Sequence, residues 1–85
     1  MFKLLIADDD VWIREGIKRS IPWEQYNIQI VGVAADGLEA WELIQNVKPD
    51  ILLSDIRMPF IDGLKLAGLI KENNLDMKVI FLSGF

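Results

Sequence analysis

The 85-residue sequence contains neither cysteine nor histidine. The first absence excludes disulfides and thiolate metal sites, and favours a reducing compartment only weakly. The second removes imidazole from the chain's chemistry: no histidine base, no imidazole-ligated zinc and no phosphohistidine can form on it. Oxygen is then the only plausible donor for a metal ion. Basic excess is missing too. Nine Lys and Arg stand against thirteen Asp and Glu, for a formal net charge of −4. The basic side chains are scattered, so the segment lacks the electrostatic footprint of a nucleic-acid binder, and any DNA contact is expected from elsewhere. No apolar run approaches the roughly 20 residues of a membrane helix, so no membrane association is expected. The N-terminal run Met1 to Ala7 reaches Asp8 too soon for a signal peptide with a cleavage site, which makes a cytoplasmic location the expectation.

What is present is a pattern of short apolar runs and amphipathic stretches. With 52% hydrophobic and 26% charged residues, the composition is that of one compact domain with a modest core. Phe2 to Ala7 is nearly all apolar and bounded by acids, as in a strand covered on both faces. An Asp at position 9 or 10 can cap a helix in which Ile13, Ile17 and Ile21 recur at helical spacing, with Arg14, Glu15, Lys18 and Arg19 on the other face and Pro22 as the stop. Ile28 to Ala35 is β-branched enough for a second strand. Asp36 then caps a second helix, Glu39 completes a capping-box pattern, and Ala40, Leu43, Ile44 and Val47 form its apolar stripe before Pro49. Ile51 to Asp55 is a third strand and Met58 to Gly63 a turn-rich loop. Leu64 to about Asn73 is a third helix, with Leu66, Leu69 and Ile70 inward. Met77 to Ser83 is a fourth strand. This βαβαβαβ order calls for a parallel α/β sheet with right-handed crossovers.

The acids carry the chemistry. Asp8, Asp9 and Asp10 stand directly behind the first strand, and Asp55 ends the third. In open parallel sheets ligands bind outside the carboxyl ends of the strands where the order reverses. A spatial order of 2-1-3-4 brings Asp8, Asp9 and Asp55 together, where each close carboxylate pair repels by about 4 kcal/mol at an effective dielectric of about 20. A cation should sit among them. The simpler explanation, that Asp8 to Asp10 only complement a helix dipole, does not account for Asp55 behind an independent strand. An Asp55 nucleophile would need its phosphoryl donor's charge neutralised, which a carboxylate-held metal supplies. Asp10 reads as first-turn charge. Trp41 adjoins the apolar stripe of the second helix and takes no role, while Trp12 follows the acids closely enough to line the rim of their site.

The runs Leu4 to Asp10 and Asp50 to Pro59, the pair Asp62-Gly63 and the terminal Val79 to Gly84 together resemble the receiver domain of two-component response regulators. The resemblance covers the whole chain. It implies a flavodoxin-like doubly wound sheet of order 2-1-3-4 and a phosphorelay in which a sensor histidine kinase passes a phosphoryl group to Asp55. It also implies Mg²⁺, with Asp9 and Asp55 as direct ligands, Asp8 acting largely through water and the backbone carbonyl of Arg57 adding an oxygen. Ser83 falls where the family has a hydroxyl that binds the phosphoryl oxygen and shifts on activation, which makes it the expected switch hydroxyl; the alternative on position alone is an ordinary turn serine. Met58, Pro59 and Gly63 match the loop beside the acceptor, with Gly63 expected to supply a backbone conformation open mainly to glycine. The stretch Trp12 to Lys18 with Pro22-Trp23 looks like receivers that precede an AraC-type helix-turn-helix output.

The resemblance also carries a departure. Receivers continue through a further helix, a fifth strand and a last helix, so residues 1–85 read as the N-terminal portion of a single receiver domain, without the lysine of the fifth strand. Lys78 precedes its strand and cannot replace that lysine. The expectations are a surviving metal site, slow or uncoupled phosphorylation, no output domain in this chain, and self-association through the exposed fourth strand. Two other readings stay open: a haloacid-dehalogenase-like phosphatase using Asp8 and Asp10, and a fragment that only folds and self-associates.

Overall fold

The computed structural model describes residues 1–82. Four parallel strands, β1 (Phe2–Ala7), β2 (Ile28–Ala34), β3 (Ile51–Ser54) and β4 (Lys78–Phe81), form one sheet in the order β2-β1-β3-β4. Three helices connect them: α1 (Val11–Ser20), α2 (Gly37–Val47) and α3 (Gly63–Glu72). This is the expected order of elements and of strands. The strands are in places shorter than expected: β2 stops at Ala34, β3 one residue before Asp55, and β4 spans Lys78–Phe81 where the sequence suggested Met77 to Ser83. Ser83 lies outside the described residues.

Each helix begins on an aspartate whose carboxylate accepts a backbone N–H that the first turn leaves unbonded. Asp10 accepts from Trp12 N at 2.8 Å, Asp36 from Glu39 N at 2.8 Å and Asp62 from Lys65 N at 2.8 Å. Asp10 is therefore more than first-turn charge: it is the cap of α1. Glu39 reciprocates by accepting from Ala35 N at 2.9 Å, one residue ahead of the cap. Helix α2 ends on Lys48 in the left-handed conformation (φ 53°), and Pro49 prevents its continuation. A short 3-10 helix, Trp23–Tyr26, follows Pro22 and was not legible in the sequence; Trp23 Nε1 donates to Ile17 O at 3.0 Å and ties it back to α1.

The core lies on the face covered by α2 and α3. Leu5 and Ala7 of β1, Ala34 of β2 and Leu52 of β3 point into it, opposite Ala40 and Ile44 of α2 and Leu66 and Ile70 of α3. Met58 and the partly buried Trp41 pack there as well. Strand alternation sends Leu4 and Ile6 to the other face, where they are also fully buried. Helix α1, by contrast, buries no residue completely. Its expected apolar stripe is only loosely covered: Ile13 is 44% exposed, and Ile21 falls beyond the helix end and is 39% exposed. Periodicity predicts which helix face is apolar, not how much of it finds a neighbour.

Candidate functional site: an acidic cluster at the strand ends

Strand register builds the site. Ala7, the last residue of β1, pairs with Ser54, the last of β3, so the residues that follow each strand emerge side by side. Asp8 N donates to Ala34 O at 3.0 Å and Asp55 N donates to Ala7 O at 2.9 Å, extending both ladders by one bond. Asp8, Asp9 and Asp55 meet there: each offers a carboxylate oxygen, and these oxygens all lie within 4.8 Å of one another. Asp8 is buried, Asp55 half-buried and Asp9 exposed. Asp10 does not belong to the cluster, because its carboxylate is turned to the helix N-terminus.

Burial of Asp8 first, and then the negative charges of Asp55, Asp9 and Asp10, push its carboxyl above its ordinary value. The Asp10 N–H, donating to Asp8 Oδ1 at 2.9 Å, opposes them. Asp55 Oδ1 accepts from Ile56 N at 2.7 Å, and among the described residues no donor reaches its Oδ2. The site thus holds three carboxylates of one sign and exposes at least one uncommitted oxygen. Arg57 is exposed two residues beyond Asp55. Its carbonyl accepts no hydrogen bond from the described residues.

The loop after β3 supports the cluster by close approach. Pro59 O accepts from Gly37 N at 3.2 Å and from Ile61 N at 2.9 Å, while Gly63 N donates to Ile56 O at 2.7 Å. Gly63 does not have the expected glycine-only conformation: no glycine has positive φ among the described residues, and the left-handed residue of this loop is Phe60 (φ 68°). Gly63 is required for a different reason. A Cβ there would stand 2.4 Å from the carbonyl oxygen of Asp55. Met58 anchors the loop in the core, and Phe60 stands 80% exposed. Trp12, on the first turn of α1, is 85% exposed.

One further residue at the site was assigned by sequence to the outer face of the first helix. Arg14 is half-buried, and its Nη1 donates to the carbonyl of Asp8 at 2.8 Å. The available signal was a basic residue one helical turn beyond the capping acid. A hollow of about 560 Å³ lies elsewhere, between the end of α1, the 3-10 helix and the start of β2. It contains no carboxylate cluster and opens at the opposite end of the sheet. No helix among the described residues is long and apolar enough to cross a membrane.

Comparison with known proteins agrees with the geometry. The profile of the response regulator receiver domain matches residues 4–85. An uncharacterized response regulatory protein of Staphylococcus epidermidis is 45% identical over all 85 residues, as is the transcriptional regulatory protein HptR of Staphylococcus aureus. The chain spans 33% of the length of each. Among solved structures, a two-component transcriptional regulator AraC from Clostridium phytofermentans superposes with a TM-score of 0.90 at 34% identity, over 100% of this chain and 66% of that one. The REC domain of AraT from Geobacillus stearothermophilus gives 0.83 at 45% identity, over 94% and 64%. With its 2-1-3-4 sheet and its acids at the strand ends, the chain belongs to the response regulator receiver domain family.

Proposed function

We propose that the chain is a phosphoacceptor switch of a phosphorelay, with Asp55 as the acceptor, and that residues 1–85 form the N-terminal portion of one receiver domain. The observation that carries this reading is the meeting of Asp8, Asp9 and Asp55 within 4.8 Å at the ends of adjacent strands. In the proposed step an oxygen of Asp55 forms a bond to phosphorus as the phosphorus–nitrogen bond of a sensor kinase's phosphohistidine breaks. The imidazole keeps the electron pair and takes up a proton. Asp55 Oδ2, without a donor among the described residues, is the available nucleophile, and the Ile56 N–H on Oδ1 holds the carboxylate in place.

The donor set suits Mg²⁺: all oxygen, clustered and repulsive in the absence of a cation. Asp9 and Asp55 would hold it directly, Asp8 through water, and the Arg57 carbonyl would add a further oxygen. When bound, the ion neutralises charge on the carboxylates and phosphoryl oxygens. The chain's own part is to align Asp55, keep its neighbours fixed and carry the phosphoryl group. Its role is that of a signalling switch, not of a turnover enzyme. The haloacid-dehalogenase-like alternative needs Asp10 as an acid in the site, whereas Asp10 caps α1.

The kinship with HptR and with the AraC regulator supports a cytoplasmic protein with a transcriptional, AraC-type output. Strand β4 is an edge of the described sheet, with Ile80 52% and Phe81 37% exposed. A second copy covering that edge is the proposed homo-oligomeric contact, and a monodisperse monomer in light scattering at high concentration refutes it. The phosphoacceptor reading is tested by incubating the chain with Mg²⁺ and a small acyl phosphate. The expected result is labelling on Asp55, abolished by Asp55→Asn. Labelling that persists in Asp55→Asn, or that moves to Asp8, overturns the assignment, and a folded chain that takes no label leaves only the folding-fragment reading.

A further inference from the structure

The acidic turn around Asp8 and Asp9 is held from several sides. Asp8 N donates to Ala34 O at 3.0 Å, and Asp8 Oδ1 accepts from Asp10 N at 2.9 Å. The carbonyl of Asp8, which belongs to the peptide leading into Asp9, accepts from Arg14 Nη1 at 2.8 Å. Among the described residues this is the only side-chain hold on that peptide plane. Rotation of the plane would swing Asp9, whose exposed side chain has no hydrogen bond among the described residues to keep it over Asp55.

Arg14 does little else. The one ion pair among the described residues is the exposed Lys18–Glu15 contact at 3.6 Å, so the Arg14 guanidinium pairs with no carboxylate there. Its Nε is buried with no hydrogen-bond partner among the described residues. Leaving a buried guanidinium N–H unsatisfied costs free energy, and surface placement would avoid that cost. The guanidinium is positioned for the main chain of the acidic turn, not for a salt bridge.

We propose that Arg14 is the positioning residue of the acidic site: by holding the Asp8 carbonyl it fixes the Asp8–Asp9 peptide and aims Asp9 toward Asp55. This rests on reading the cluster as a divalent-cation site. The proposal makes a prediction whose sign differs from that of simple electrostatics. Removing a positive charge beside three carboxylates should tighten the binding of any cation. Removing a positioning group should weaken it, and more for Mg²⁺, which demands near-ideal octahedral geometry, than for Ca²⁺, which accepts irregular oxygen cages.

The test is a pair of titrations, Mg²⁺ and Ca²⁺, on the wild-type chain, Arg14→Ala and Arg14→Lys, followed by Trp fluorescence. Amide hydrogen exchange of the cation-free proteins is measured alongside. Arg14→Ala should lose about tenfold in Mg²⁺ affinity, the usual scale for an outer-shell partner, and much less in Ca²⁺ affinity. Arg14→Lys, which keeps a donor, should recover part of the loss and decides the matter if Arg14→Ala fails to fold. The Asp10 amide, which donates to Asp8 Oδ1, should exchange faster in Arg14→Ala while those of Leu5 and Ile6 stay protected. Unchanged or higher Mg²⁺ affinity overturns the proposal, as does an equal loss for both ions, which signals general loosening. If the wild type binds no Mg²⁺ but the exchange of Asp10 rises as expected in Arg14→Ala, the cation reading fails and the positioning stands. Unmoved exchange sinks the positioning itself.

Discussion

Asp55→Asn should make the cation-free chain more stable, although it removes the residue on which the proposed function depends. Asp55 shares the cluster with Asp8 and Asp9, the three offering oxygens within 4.8 Å of one another. At that separation a fully ionised pair repels by about 3.5 kcal/mol at an effective dielectric of about 20. Two pairs are relieved, but Asp9 is exposed and Asp55 only half-buried, so solvent screens both pairs. A net gain of about 2 kcal/mol is the reasonable scale after that discount. For a domain of this length such a gain corresponds to a rise in Tm of roughly 8 to 16 °C. Asparagine keeps the Oδ1 that accepts the Ile56 N–H, so the substitution is nearly pure charge removal. Thermal unfolding by circular dichroism in EDTA at low ionic strength measures the gain. Saturating Mg²⁺ should then reverse the order, since about a hundredfold excess over Kd stabilises the wild type by about 2.7 kcal/mol and the variant by much less. An Asp55→Asn variant no more stable than wild type in EDTA, or equal stabilisation of both by Mg²⁺, would refute the electrostatic argument.

The raised pKa of Asp8 means that the folded chain binds this proton more tightly than the unfolded chain does, so the ionised group costs stability near neutrality and the cost fades as pH falls through the folded value. Asp8→Asn should therefore exceed wild type in urea midpoint near neutral pH without cation, with a gap that narrows on acidification; a gap independent of pH would contradict this. Gly37→Ala should destabilise by about 2 kcal/mol, the scale of overpacking, because its Cβ would stand 1.7 Å from the backbone oxygen of Ile61; denaturant unfolding at wild-type stability would show that the Pro59–Ile61 loop yields freely. Leu66→Ala, at a fully buried site, should cost about 3 kcal/mol by the same measurement.

Much of the architecture was legible in the residues because local rules and the fold agree. Asp36 with Glu39 announces α2, and the stripe Ala40, Leu43, Ile44 and Val47 marks its inner side, with Ala40 and Ile44 fully buried. The runs Phe2 to Ala7 and Ile51 to Ser54 are strands because nearly every residue in them is apolar or β-branched. Misreadings fell where distant neighbours decide. The apolar stripe of α1 is only loosely covered, and the 3-10 helix Trp23–Tyr26 depends on Trp23 reaching back to Ile17.

By itself the sequence determined the donor chemistry of this protein, oxygen only, and the positions of the acids, each immediately behind a strand, because composition and apolar run length are local properties. Only the tertiary structure decided which acids meet. Pairing Ala7 with Ser54 places Asp8 and Asp9 beside Asp55, while an equally acidic neighbour, Asp10, is turned away to cap α1. It also decided that Gly63 is required by the proximity of the Asp55 carbonyl and that Arg14 turns inward to the Asp8 carbonyl. These are contacts between residues distant in the chain or across a turn. Their geometry follows from strand register and loop closure, which no single segment encodes.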